Sequence, residues 1–176
     1  MIQQLLGVER EPVSVAAVGV EAPADWESLR TPETYLGYAR AENFTSPNGA
    51  GFDERRSYEL PDSLRLNHWG LAGEWTIGTE RVALDRGGGS IAYRFHARDA
   101  HLVLSTAAQQ PIPFRVLLDG EAPGAAHGID VNEHGVGVLA DGRLYQLVRQ
   151  SGIVRERTLE IAFLEAGAEA YVFTFG

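Results

Sequence analysis

Trp69 and Trp75 fall in one short stretch beside Asn67 and His68, and these are the residue types a sugar site needs. Sugars present apolar faces that stack on aromatic rings and hydroxyl rims that pair with planar polar groups. Arg94 and His96 are two positions apart, so on a strand they leave the same face, and Arg115 points away from its neighbours Phe114 and Val116. With Tyr145 added, Trp69, Trp75, Arg94, His96 and Arg115 form a candidate carbohydrate-binding set, provided that they share a solvent-facing concavity. The competing outcome is equally concrete: tryptophan in a β protein usually belongs to the core, and an arginine on a strand's polar face is usually solvated or paired with an acid.

A second candidate is the run Asp-Val-Asn-Glu-His-Gly from Asp130 to Gly135. It places Asp130, Asn132 and Gly135 where a calcium loop wants its first, third and sixth residues, with Asp141 at the twelfth. The fifth position is His134, a poor ligand for a hard cation, and strands rather than helices are expected on either side. A hairpin loop shaped by Asx and glycine residues fits the same string. No cofactor is expected unless calcium binds there, and no metal site is favoured.

Other chemistries are excluded or find no support. The chain has no cysteine, which removes disulfides, zinc–thiolate sites, thiol nucleophiles and redox pairs. Every one of the 15 basic residues is arginine, so Schiff-base and P-loop lysines are absent and a planar bidentate donor is the cation available for recognition. The histidines, His68, His96, His101, His127 and His134, include no i, i+4 pair, and no Gly-x-Ser-x-Gly elbow occurs. Paired carboxylates for glycoside hydrolysis cannot be nominated from 24 acids. No enzymatic activity is therefore expected of this segment. A net charge of -9 and a pI near 5.0 disfavour a nucleic-acid partner, and no apolar run approaches the roughly 18 residues needed to insert in a membrane.

These residues must be positioned by short strands. From Gly73 onward, apolar alternating runs are separated by Gly and Asp turns: Trp75 to Ile77, Arg81 to Leu84, then Ile91, Tyr93 and Phe95, Leu102 to Leu104, and Phe114, Val116 and Leu118. Val136 to Leu139, Leu144 to Val148, Leu159 to Phe163 and Tyr171 to Phe175 complete the series. Asp85 to Ser90 reads as a hairpin turn, and Ala166-Gly167 as the reversal between the last two runs. Eight or nine such strands at regular spacing predict an all-β antiparallel sandwich, best a jelly roll. Residues 31–176 form that domain. Residues 1–30 read as a helix stub (Ile2, Leu5, Leu6) and an extended linker tied down, if at all, by Val13, Val15, Val18 and Trp26. Thr31-Pro32-Glu33 predicts a single helical turn carrying Tyr35, Leu36 and Tyr38.

Five stretches together resemble a known family: Thr31 to Phe44 (Thr-Pro-Glu-Thr-Tyr-Leu-Gly-Tyr-Ala-Arg-Ala-Glu-Asn-Phe), Gly70 to Gly78, Tyr93 to Leu104, Phe114 to Gly120, and the closing Tyr-Val-Phe-Thr-Phe-Gly from Tyr171. They are similar to the C-terminal domain of DipZ-type proteins, in which a TlpA-like thioredoxin is followed by a sandwich of the galactose-binding or carbohydrate-binding-module kind. The resemblance implies an upstream thioredoxin-like partner domain, an extracytoplasmic (periplasmic or cell-envelope) setting and a glycan or cell-envelope saccharide as ligand. It implies no thiol chemistry in this segment and assigns no ligand residues. The leading expectation is thus a non-catalytic, sugar-binding accessory domain of a thiol-disulfide oxidoreductase. The alternative is a structural module that packs on the thioredoxin, and a hydrolase with unrecognised acids comes third.

Overall fold

The structure, a computed structural model, describes residues 23–176. The helix stub and most of the linker expected before Pro23 lie outside the described residues.

Alternation decides the secondary structure. In β5 (Ser90–His96) Ile91, Tyr93 and Phe95 are buried, whereas Arg94 and His96 stay partly exposed. In β7 (Ile112–Leu118) Phe114 and Val116 point inward and Pro113 and Arg115 outward. The other strands are β1 (Thr34–Tyr35), β2 (Arg55–Tyr58), β3 (Trp69–Ile77), β4 (Val82–Leu84), β6 (Asp99–Thr106), β8 (Val136–Leu139), β9 (Arg143–Arg149), β10 (Glu156–Phe163) and β11 (Ala168–Phe175). A single 3-10 turn, Gly124–Ala126, interrupts the long β7–β8 connection.

The ladders between these strands are antiparallel and form two sheets. A front sheet runs β4-β11-β6-β9, and a back sheet runs β5-β10-β7-β8. Along the chain from β4 to β11, each strand crosses to the opposite sheet except at β7–β8, which is the jelly-roll connectivity. Strand β3 joins the sheets. Its first half pairs with β5 and its second half with β2 and β4. The change of direction falls at Gly73, with φ +96° and space so tight that a Cβ would sit 2.7 Å from the Gly89 Cα. Only glycine meets both conditions there.

Two local expectations are corrected. Asp85 to Ser90 closes no hairpin; it carries the chain from β4 in the front sheet to β5 in the back sheet, and Ala166-Gly167 likewise joins β10 to β11 across the sandwich. Turn residues specify a reversal but not which sheet receives the next strand. Thr31 to Tyr38 is not helical either. Thr34 and Tyr35 pair with Phe173 and Val172, and the Thr31 hydroxyl accepts a hydrogen bond from the His96 amide at 2.8 Å instead of capping a helix. One isolated turn has little intrinsic stability, so pairing with β11 prevails.

The core between the sheets is aromatic. Trp69, Trp75, Tyr93, Tyr145, Phe95, Phe114, Phe163 and Phe173 are all essentially inaccessible, each contributing about 1.5–3 kcal/mol or more by leaving water. Edge-on contacts join Trp75 to Phe163 and Phe114 to Tyr145. Burial pushes the Tyr93 phenol up to about 12, and its hydroxyl hydrogen-bonds to Thr34. On β6, between β11 and β9 in the front sheet, His101 is buried, with Asp99, Arg149 and Asp130 and the Thr174 backbone acting on its ring. Burial holds its pKa below the ordinary value. The unfolded chain therefore binds a proton near pH 6.5 that the folded ring still refuses, and stability is expected to fall as pH drops below about 6.5. Urea denaturation at pH 7.5 and 5.0 should show this loss, and His101→Gln should remove that component.

Candidate ligand-binding groove

The three aromatics of the expected sugar platform are corrected by their burial. Trp69 and Trp75 are 0% exposed and Tyr145 1%, so none offers a ring face to a ligand. Trp69, Leu71, Trp75 and Ile77 are separated by even numbers and occupy one buried face of β3. The indole N–H groups are used internally, Trp69 donating to the Glu42 carbonyl at 2.9 Å and Trp75 to the Ala72 carbonyl at 2.8 Å. The Tyr145 hydroxyl donates to the Asp141 carbonyl at 2.7 Å.

The three polar members do lie toward the outer side of the back sheet. Arg94 donates from Nε to Glu156 at 2.7 Å and from Nη1 to the Leu64 carbonyl at 3.2 Å. His96 is joined through Nδ1 to the Ser28 carbonyl, and Arg115 is exposed on β7. A shallow hollow of about 370 Å³ beside Arg94 is lined by Leu60, Pro61, Thr158 and Glu160, with no aromatic ring. Burial raises the Glu160 carboxyl. The calcium candidates are likewise occupied. Asp130 accepts from Arg143 at 2.9 Å and from the Gln146 amide at 2.8 Å, and the Asn132 side chain caps its own loop by accepting from the His134 and Val136 amides. Asp141 sits in the β8–β9 turn. Among the described residues, no group of three or more His, Asp or Glu could hold a metal ion.

A partly exposed pair of aromatics, Tyr35 and Tyr171, lies elsewhere, where β1 and β4 meet the same flank of β11. β4 pairs with Glu169 and Ala170 and β1 with Val172 and Phe173. The gap between them falls at Tyr171, where the β11–β6 register shifts. A bulge of this kind re-aims a side chain. The Tyr171 hydroxyl shares a hydrogen bond with Ser105 at 3.1 Å, Ser105 donates to Glu169 at 3.0 Å, and Arg81 pairs with Glu169 at 2.7 Å. The turn after β1 is tied to β11 by the Leu36 amide donating to the Tyr171 carbonyl at 2.9 Å, and to the β3–β4 connection by the Tyr38 and Ala39 amides donating to the Gly78 and Thr79 carbonyls at 2.9 and 3.0 Å. The approach is close enough that a Cβ on Gly37 would lie 2.3 Å from the Glu80 backbone.

The result is a groove made of three adjoining hollows. The most apolar, about 270 Å³, is walled by Tyr35, Gly37, Ala39, Arg40, Thr79, Glu80, Tyr171 and Val172. Across the Tyr35–Arg40 wall lies a second of about 420 Å³ with Glu33, Glu42 and Asn43, and beyond Thr79 and Glu80 a third with Asp53 and Arg81. The Arg40 guanidinium stands 3.6 Å from the Tyr35 ring centre, a cation–π contact that holds ring and donor fork together. A hydrogen bond with Glu33, followed by burial, pushes the Tyr35 phenol up, so it stays neutral and able to donate. Sequence reading singled out Tyr35 but as part of a helix, and it missed Arg40, Glu80 and Tyr171, which only the β1–β11 pairing brings together.

The fold is that of a jelly-roll domain with an open groove and no thiol. The chain belongs to the family described as the thioredoxin like C-terminal domain, whose sequence profile matches residues 31–176. Among curated proteins it is similar to Protein DipZ of Mycobacterium bovis (strain ATCC BAA-935 / AF2122/97) and of Mycobacterium tuberculosis (strain CDC 1551 / Oshkosh). Each is 31% identical over 75 residues, which is 42% of this chain and 10% of the relative. The matched region thus spans about a tenth of the relatives' length.

Proposed function

We propose that this chain is a non-catalytic accessory domain of an extracytoplasmic thioredoxin-like thiol-disulfide oxidoreductase, and that it binds a neutral saccharide in the Tyr35–Tyr171 groove. The observation that carries the sugar reading is the pairing of Tyr35 and Arg40 in one wall of the groove. An aromatic face beside a planar donor is what a pyranose ring with a vicinal diol needs. Membership of the thioredoxin-like C-terminal family supports the accessory role. Two features support the lack of catalysis. The chain has no cysteine, and of the carboxyls with shifted pKa, Glu74 and Asp99 are paired with arginines while Glu160 is raised by burial, on a different sheet from Asp99.

The rim also selects. Glu33, Glu42 and Glu80 outnumber the arginines at the groove, and Arg81 is already paired with Glu169, so uronate or phosphorylated glycans should bind worse than neutral ones. Calorimetric titration of the 176-residue chain with neutral and uronate oligosaccharides tests both points. Tyr35→Ala or Tyr171→Ala is expected to weaken binding by about tenfold, ~1.4 kcal/mol, with an unchanged melting curve. Equal affinity in both variants and in the parent would dismiss the groove.

A further inference from the structure

We propose that the end of the sandwich bearing Trp26, Leu66 and Ile153 is the face that docks against the preceding thioredoxin-like domain. The proposal rests on the accessory-domain reading but not on sugar binding. Trp26 is 76% exposed, Ile153 86% and Leu66 36%. Of Val13, Val15, Val18 and Trp26, the residues expected to tie the linker down if any do, the three valines lie outside the described residues and the Trp26 indole is left in water.

The segments that carry them are all hydrogen-bonded to the end of β5 and the turn that follows it, residues 96–98, or to the linker held there. On one flank Arg98 donates to the Pro23 carbonyl at 2.5 Å, His96 Nδ1 meets the Ser28 carbonyl at 2.8 Å, and the Arg30 amide donates to the His96 carbonyl at 2.8 Å. These bonds bracket Trp26. On the other flank the Gln150 amide donates to the Arg98 carbonyl at 2.8 Å. Its buried side chain donates to the Ala97 and Arg155 carbonyls, both at 2.9 Å, and accepts from the Arg155 amide at 3.2 Å. Gln150 thereby pins both ends of the 150–155 loop, whose tip carries Ile153. Leu66 precedes Asn67, whose side chain donates to the Arg30 carbonyl at 3.3 Å.

Three large apolar side chains left exposed on segments anchored to the same end of the sandwich are what an interaction surface there would offer a partner. The occupant follows from where the chain runs. Pro23, held by Arg98, is where the upstream chain reaches the domain, and residues 1–22 extend from it. A domain joined to the chain ahead of Pro23 is held near this end by the covalent connection, so a small apolar contact suffices for docking. The family is the C-terminal part of a thioredoxin-like protein, which makes the thioredoxin-like domain that occupant. The other exposed large apolar residues among those described, Phe52, Ile129, Val136, Val138 and Leu164, have no backbone hydrogen bond to the 96–98 turn.

Hydrogen exchange compares the 176-residue chain with the longer protein that carries the thioredoxin-like domain ahead of it. Amides in 24–28 and 150–155 are expected to exchange about tenfold more slowly in the longer protein, and Trp26→Asp with Ile153→Asp should abolish that difference. Both side chains are exposed, so the double variant should keep the melting curve of the parent chain; Ile153→Ser alone serves if it does not. Identical exchange in the two proteins, or protection confined to another face, overturns the proposal. Saccharide titration of the double variant keeps the readings separate, since affinity should be unchanged whichever way the exchange experiment falls.

Discussion

Trp75→Ala should destabilise the domain by about 3–5 kcal/mol, the usual cost of emptying a large aromatic site, while leaving saccharide affinity of the folded protein unchanged. Trp75 is 0% exposed, opposes Arg56 on β2 and Leu84 on β4, and meets Phe163 of the back sheet edge-on. Its removal opens a cavity at the junction where β3 passes from one sheet to the other. For a chain of this size each kcal/mol moves the melting temperature by about 2–4 °C, so a thermal scan should show a drop of roughly 6–20 °C. Trp75→Phe should recover most of it. Had the indole been a stacking platform, the same change would spare stability and abolish binding, so measuring both quantities on one variant separates the roles.

Asp99→Ala is expected to cost a comparable amount, about 3–5 kcal/mol as when one partner of a buried ion pair is deleted. The carboxylate is 2% exposed, and it accepts from Arg149 Nε at 2.7 Å and from Arg98 Nη2 at 2.8 Å. Deleting it leaves both guanidiniums, each about a quarter exposed, without their shared anion, and partial rehydration of the arginines places the loss toward the lower end. Burial alone would raise the Asp99 carboxyl, but the hydrogen bonds from Arg149 and Arg98 prevail and hold it below the usual range. The folded state therefore releases this proton at lower pH than the unfolded chain does. The stabilisation is complete above about pH 3.9 and is lost as pH falls through the folded value. Asp99→Asn should be less stable than the parent at pH 7, and the gap should close in acid. Because Arg98 also holds Pro23, the substitution should loosen the linker at the docking end as well.

Much of the sandwich was legible because its strands obey period two. Ile91, Tyr93 and Phe95, Phe114, Val116 and Leu118, and Leu159, Ile161 and Phe163 alternate with outward residues, and all are buried. Strand β2 has no such pattern: Arg-Arg-Ser-Tyr is a strand only because it pairs with Glu74 to Thr76 and Gly73 of β3. Strand β1 likewise exists by virtue of its register with β11. The burial of the tryptophans could have been read. Trp69, Leu71, Trp75 and Ile77 share parity, and a strand extended back from Trp75 puts all four on the core face. The groove could not. Tyr35, Arg40, Glu80 and Tyr171 come from separate segments, and they converge through a crossover and a bulge that no local spacing encodes.

The most direct test of sugar binding is an NMR titration of the 176-residue chain with neutral oligosaccharides, following amide shifts along the whole backbone. Perturbations concentrated at Tyr35 to Arg40, at Thr79 and Glu80, and at Tyr171 and Val172 are the predicted result. Shifts clustered instead around Arg94, Arg115 and Glu160 on the back sheet, or none with any glycan, would contradict it.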